Sequence, residues 1–156
     1  MPFPPKTPYL AVDALVNVQN EAGEFLGIVL IERKYPPVGL ALPGGFVEVG
    51  ETVERAVIRE MKEELTLDVI PIRQFKVYSD PNRDPRGIHV VSVVFECVAR
   101  GEPVGSDDAK KARIFHYDAV PLERLVFDHS KIVRDYLNDP EAVFKKTVTT
   151  GESSGV

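Results

Sequence analysis

Apolar positions along the chain fall into two kinds of pattern. Four runs, Tyr9–Val18, Gly27–Arg33, Val69–Ser79 and Ile88–Val98, are dense in Val, Ile, Leu and aromatic residues. Such runs predict strands. Ile88–Val98 is long, apolar and β-branched, which predicts a central strand, and Arg113–Tyr117 predicts a short one. Turn residues separate them at Asn20–Gly23, Asp80–Gly87 and Gly101–Asp108. Lys34–Gly45 (KYPPVGLALPGG) is so rich in Pro and Gly that it predicts a loop with special backbone angles. The second pattern is helical. Glu51–Leu65 has no Pro or Gly, with Thr52 as N-cap. Asp128–Asn138 predicts a second helix, capped by Asp128 and burying Ile132, Val133, Tyr136 and Leu137. Mixed strands with one early and one late helix predict an α/β or α+β sandwich, a mixed β-sheet packed between helices.

Length and charge narrow this further. The 156 residues suit one domain. The expected organisation is a Pro-rich extended arm over residues 1–8, a single domain over 9–140, and a polar tail over 141–156 that is disordered at its end. Lys and Arg number 19 against 24 Asp and Glu, a formal net charge of −5. That balance argues against a dedicated nucleic-acid binder. No apolar run approaches the length of a membrane span, and the opening MPFPPKTPYL lacks the apolar core of a secretory signal, so the expected location is the cytoplasm. The one cysteine, Cys97, excludes an intrachain disulfide and reads as a buried thiol. The three histidines, His89, His116 and His129, show no spacing that suggests a zinc site.

The early helix carries the candidate chemistry. At about 100° per residue, Glu60, Glu63 and Glu64 share an arc of roughly 100°. Ile58, Met61 and Leu65 gather on a core face. Three carboxylates on one face repel one another, and a hard divalent cation with oxygen ligands reverses that sign; the alternative is a solvated acidic face. Gly44 and Gly45 precede the helix and allow backbone to approach a ligand closely. A glycine turn followed by a one-sided carboxylate helix suits Mg²⁺ with a phosphate-bearing substrate.

Gly45, Glu51, Arg59, Glu60, Met61, Glu63, Glu64 and Leu67 stand at the spacing G-x5-E-x7-R-E-U-x-E-E-x-G-U, and this run strongly resembles the Nudix box. One position departs: Thr66 stands where the box has its second glycine, a position that calls for positive φ, so the end of the helix is expected to be remodelled. The resemblance implies Glu60 and Glu64 as metal ligands, Glu63 as a further ligand or the base, and the carbonyl of Gly44 in the metal shell. It also implies a structural ion pair between Glu51 and Arg59, and hydrolysis of a nucleoside diphosphate linked to another group with Mg²⁺ (or Mn²⁺) as cofactor.

The opening PYLAVDALV, Tyr78–Phe95 and Phe127–Leu137 resemble, more loosely, the small ADP-ribose pyrophosphatases. That implies cleavage of ADP-ribose to AMP and ribose 5-phosphate, and a homodimer. Gly45 would lie against the substrate, and Arg33, Arg83 and Arg86 are candidate phosphate contacts, since guanidinium forks suit phosphate. Against this, Arg83 and Arg86 have Asp80 and Asp84 in their own loop as partners. Asp107 and Asp108 stand where the family often supplies a further acid from a mobile loop; Asp108 is taken as catalytic. The alternatives are hydrolysis of another nucleotide, such as a nucleoside triphosphate, and a non-catalytic sensor of an ADP-ribose-like ligand. The expected partner is a small nucleotide, with neither nucleic acid nor membrane.

Overall fold

The computed structural model describes residues 3–105 and 111–146. Among these residues seven strands form one sheet: β1 (Tyr9–Gln19), β2 (Phe25–Arg33), β3 (Gly39–Ala41), β4 (Gly44–Phe46), β5 (Ile70–Tyr78), β6 (Val90–Arg100) and β7 (Ala112–Phe115). The helices are α1 (Val53–Leu65) and α2 (His129–Leu137). The main strand order is β3-β2-β1-β6-β5, with β4 also pairing with β1 and β7 with β2. β1 and β6 run parallel in unbroken register from Tyr9↔Val90 to Gln19↔Arg100, and the other pairs are antiparallel.

Strand periodicity sends alternate residues of β1 and β6 to opposite faces. Val12, Ala14, Val16, Phe95 and Cys97 pack with Ala56, Val57, Met61 and Leu65 of α1. Leu15 and Val94 pack with Ile132, Val133 and Tyr136 of α2 on the other face. Apolar burial on both faces stabilises the sheet by roughly 25 cal/mol per Å² removed from water. The expected sandwich is therefore present.

Four local expectations are corrected. The Pro/Gly-rich segment holds two short strands, β3 and β4, because its extended ends pair with β2 and β1. Ile58 is 42% exposed rather than core. The buried face of α1 is centred between Val57 and Met61, about 60° to 100° from Glu60, and Ile58 lies beyond its edge. Asp128 makes no side-chain cap; its carboxylate accepts instead from Arg83. Thr66 does not remodel the end of α1: it takes the left-handed conformation itself, at φ 57°, and its N–H bonds to the Lys62 carbonyl.

Beyond residue 140, Ala142 is buried and Phe144 stacks on Tyr117 with centroids 3.7 Å apart. This end is tied to the sheet through Glu96, which is 1% exposed and accepts from Arg73, Tyr136 and the Val143 N–H. Tyr136 also accepts from Asn17, which in turn accepts from Tyr117. Cys97 is buried, and burial pushes its thiol up to about 12.

Candidate active site

The Thr52 hydroxyl accepts from the Arg55 N–H and starts α1. Two turns of helix later, Arg59 points back over the preceding loop. Its guanidinium makes a bidentate pair with Glu51 at 2.6 and 2.9 Å and donates to the Phe46 carbonyl at 3.1 Å. The Arg59 hydrogen bonds hold the Glu51 carboxyl down at about 2. Arg59 therefore staples β4 and the following loop to α1, as the expected Glu51–Arg59 pair requires. The same guanidinium donates to Glu60 at 2.9 Å and Glu63 at 3.2 Å.

Glu60 and Glu64 lie on the side of α1 that faces β4. The Glu60 side chain is 13% exposed. Burial raises its pKa, Arg59 opposes that, and the like charges of Glu64 and Glu63 add to it. The Gly44 N–H donates to Glu64 at 3.2 Å. A Cβ on Gly45 would fall against the Glu60 carboxylate, 2.5 Å from Oε2 and nearer still to the other carboxylate atoms. A Cβ on Gly44 would collide with the Val12 carbonyl and Asp13. Both glycines are thus needed for close approach of β4 to α1 and β1. Glu63 is 60% exposed and turned to Arg59. Among the described residues no three acidic, histidine or cysteine side chains converge tightly enough to hold an ion on their own. The donor set nevertheless fits a hard cation: two all-oxygen side chains crowd one half-buried site beside a glycine backbone, and their repulsion is what a divalent ion relieves.

Beside this carboxylate pair opens a cleft of about 180 Å³. Its lining includes Gly44, Gly45, Glu64, Arg33, Arg83 and Arg86. Arg33 and Arg86 place their guanidinium carbons 4.9 and 5.3 Å from the ring centroid of Phe127. Phe127 is a non-glycine residue at φ 57°, a strained conformation of the kind that clusters at functional sites. Burial and the charge of Arg86 lower the Arg33 pKa, and the Glu64 and Asp84 carboxylates oppose that. Arg33 is held by the Pro37 carbonyl at 2.9 Å and Arg86 by Asp84 at 2.7 to 3.2 Å. Arg86 pairs within its own loop, as the alternative reading had it. The Arg83 side chain is 5% exposed and pairs not with Asp80 or Asp84 but with Asp128, at 2.7 and 2.9 Å.

The structure thus brings Gly44, Gly45, Glu64, Arg33, Arg83 and Arg86 to one cleft, with Glu60 against Gly45 and with Glu51 and Arg59 as its brace. Glu63 stands outside it, and Asp107 and Asp108 lie outside the described residues. Sequence reasoning missed Asp13, Phe127 and His129 on the same lining. One signal was available: Asp13 is the single charged residue in the apolar run Tyr9–Val18. Nothing in the local sequence marks His129, whose place depends on the docking of α2.

The NUDIX domain profile matches residues 8–136. An ADP-ribose pyrophosphatase of Methanocaldococcus jannaschii is 48% identical over 133 residues, covering 83% of this chain and 73% of that protein. A MutT/nudix family protein from Enterococcus faecalis superposes with TM-score 0.70 at 28% identity, over 93% of this chain and 68% of the other. A bifunctional NMN adenylyltransferase/ADP ribose pyrophosphatase from Francisella tularensis, complexed with AMP and an Mn ion, gives TM-score 0.67 at 30% identity, over 86% of this chain and 42% of that longer one. Agreement that extends from the box to nearly the whole folded span places this chain in the Nudix family.

Proposed function

We propose that this chain is a divalent-metal-dependent pyrophosphatase that splits ADP-ribose into AMP and ribose 5-phosphate. The observation that carries the reading is one cleft in which Glu64 and the glycine strand meet Arg33 and Arg86, with Glu60 held against Gly45. The near relative named an ADP-ribose pyrophosphatase supports the substrate. Glu60, Glu64 and the Gly44 carbonyl would hold Mg²⁺, with Mn²⁺ as an alternative. When bound, the ion neutralises diphosphate charge and makes water a better nucleophile.

The remaining steps belong to the chain. Arg33 and Arg86 receive the phosphates, and Gly45 lets them sit close to the backbone. Arg83 holds the start of α2 through Asp128 and so fixes that wall of the cleft. Glu63 is exposed enough to reach a water, and acts as the base or as a further ligand once it leaves Arg59. Asp108 is the other candidate base. The same reading makes the protein a cytoplasmic homodimer acting on a small nucleotide, without a nucleic-acid or membrane partner; the exposed arm before β1 supports the dimer.

Turnover of ADP-ribose, dinucleoside diphosphates and nucleoside triphosphates, with and without Mg²⁺, tests the proposal. ADP-ribose should be preferred, and Glu64→Gln should lower turnover by more than tenfold, or about 1.4 kcal/mol in the barrier, with the fold intact. Metal-independent turnover would sink the mechanism, and faster turnover of a triphosphate would sink the substrate.

A further inference from the structure

The floor of the cleft carries a second polar pair that none of the roles above uses. Asp13 of β1 stands opposite Gly44 of β4 in the strand ladder. Its Oδ2 accepts from the Ser92 hydroxyl at 2.5 Å. His129, the first residue of α2, is buried and accepts the Leu42 N–H at its Nδ1, 2.9 Å away. A backbone N–H only donates, so Nδ1 carries no proton and the neutral ring bears its proton on Nε2. Burial favours that neutral ring and lowers its pKa; Asp13 and Asp128 oppose the shift, while Arg83 and Arg33 add to it. Nε2 faces Asp13 Oδ1 at 3.7 Å, too far for a hydrogen bond between them. Both residues line the cleft.

An acceptor and a donor therefore stand side by side on the cleft lining, close enough for one atom in the cleft to bridge them. An oxygen about 2.8 Å from each would see them roughly 80° apart, a workable angle for a group that accepts one bond and donates another. A hydroxyl does both with one atom. An ionised phosphate oxygen only accepts and would meet the Asp13 carboxylate as a like charge. We propose that Asp13 and His129 form a hydroxyl-reading site that takes a ribose hydroxyl of the substrate. Position selects the sugar over the base. Asp13 lies beside Gly44, at the carboxylate pair where the diphosphate must sit, and the groups that flank a diphosphate in ADP-ribose are its two riboses. The base is one sugar further away. This rests on the ADP-ribose reading. The pair makes Asp13 and His129 specificity residues, with Ser92 positioning the carboxylate.

The test measures kcat/KM of the parent protein and of Asp13→Asn on ADP-ribose, on five analogues each lacking one ribose hydroxyl (two on the adenosine ribose, three on the terminal ribose), and on the hypoxanthine analogue. The parent should process one deoxy analogue about 10- to 100-fold less well than ADP-ribose. Asp13→Asn should lose a similar factor on ADP-ribose and little more on that same analogue, because the hydroxyl and its acceptor act as one contact. A parent that treats all five deoxy analogues like ADP-ribose overturns the proposal without any variant. So does an equal loss by Asp13→Asn on every analogue, which assigns the pair to a water, or coupling to the hypoxanthine change alone, which assigns it to the base. Should Asp13→Asn not fold, Ser92→Ala replaces it, with the same coupling expected at smaller size and refutation by the same outcomes. A parent that leaves ADP-ribose intact refutes the substrate reading instead; ribo and deoxy forms of the nucleotide it does cleave then test the pair by the same coupling.

Discussion

Gly45→Ala is the sharpest probe of the carboxylate site, because the perturbation is one methyl group placed at a known point. Gly45 does not need glycine for its backbone angles; positive φ occurs elsewhere among the described glycines. It needs glycine for space, since the added Cβ would lie 2.5 Å from Glu60 Oε2 and nearer to the rest of that carboxylate. Ordinary contact between such atoms begins near 3.4 Å, so the Glu60 carboxylate must retreat by roughly 1 Å. It cannot do so freely, being half-buried and held by Arg59 at 2.9 Å. A displacement of that size at a reacting centre costs about 10²-fold, close to 2.7 kcal/mol. Turnover of ADP-ribose should therefore fall about 100-fold, and the Mg²⁺ concentration for half-maximal rate should rise. Circular dichroism and thermal melting would show the sheet intact, because the Cβ meets a side chain and not backbone. A folded Gly45→Ala protein with parental turnover and parental metal dependence would refute Glu60 as a ligand positioned by Gly45.

Three further outcomes follow from the same geometry. The Glu51 carboxyl sits at about 2 when folded against 4.5 ordinarily, so its contribution is present above about pH 4.5 and lost as pH falls towards 2; acid unfolding of Glu51→Gln should be flatter across that window, and an unchanged profile would mean that the pair with Arg59 does not form in solution. Tyr136→Phe removes the hydroxyl that donates to Glu96 and accepts from Asn17, and should cost about 1.5–3 kcal/mol in urea unfolding; a change under about 0.5 kcal/mol would contradict that buried network. Thr66→Gly relieves about 1–2 kcal/mol of left-handed strain against about 0.5–1 kcal/mol of added unfolded-chain entropy, so it should raise the melting temperature, and a lowered one would show that the Thr66 hydroxyl bond to the Val104 carbonyl outweighs the strain.

Local chemistry is what the sequence determined by itself. The long strands, both helices and the Thr52 cap are visible because each is set within a few turns or one short loop, and the Glu51–Arg59 brace is visible through the resemblance to the Nudix box. The spacing of Glu60 and Glu64 from Gly45 belongs to the same class, since a helix period and a glycine turn are local rules. Tertiary structure decided which neighbours those residues meet. Glu60 and Glu64 face β4 while Glu63 turns out to Arg59, because burial of Val57, Met61 and Leu65 sets the rotation of α1 on the sheet. Arg83 finds Asp128 rather than Asp80 or Asp84 because α2 docks beside its loop, 45 residues on in the chain. Asp13 of β1 meets Phe127 and His129 in one cleft for the same reason: they lie far apart in the chain, and only the docking of α2 on the sheet brings the start of that helix to β1.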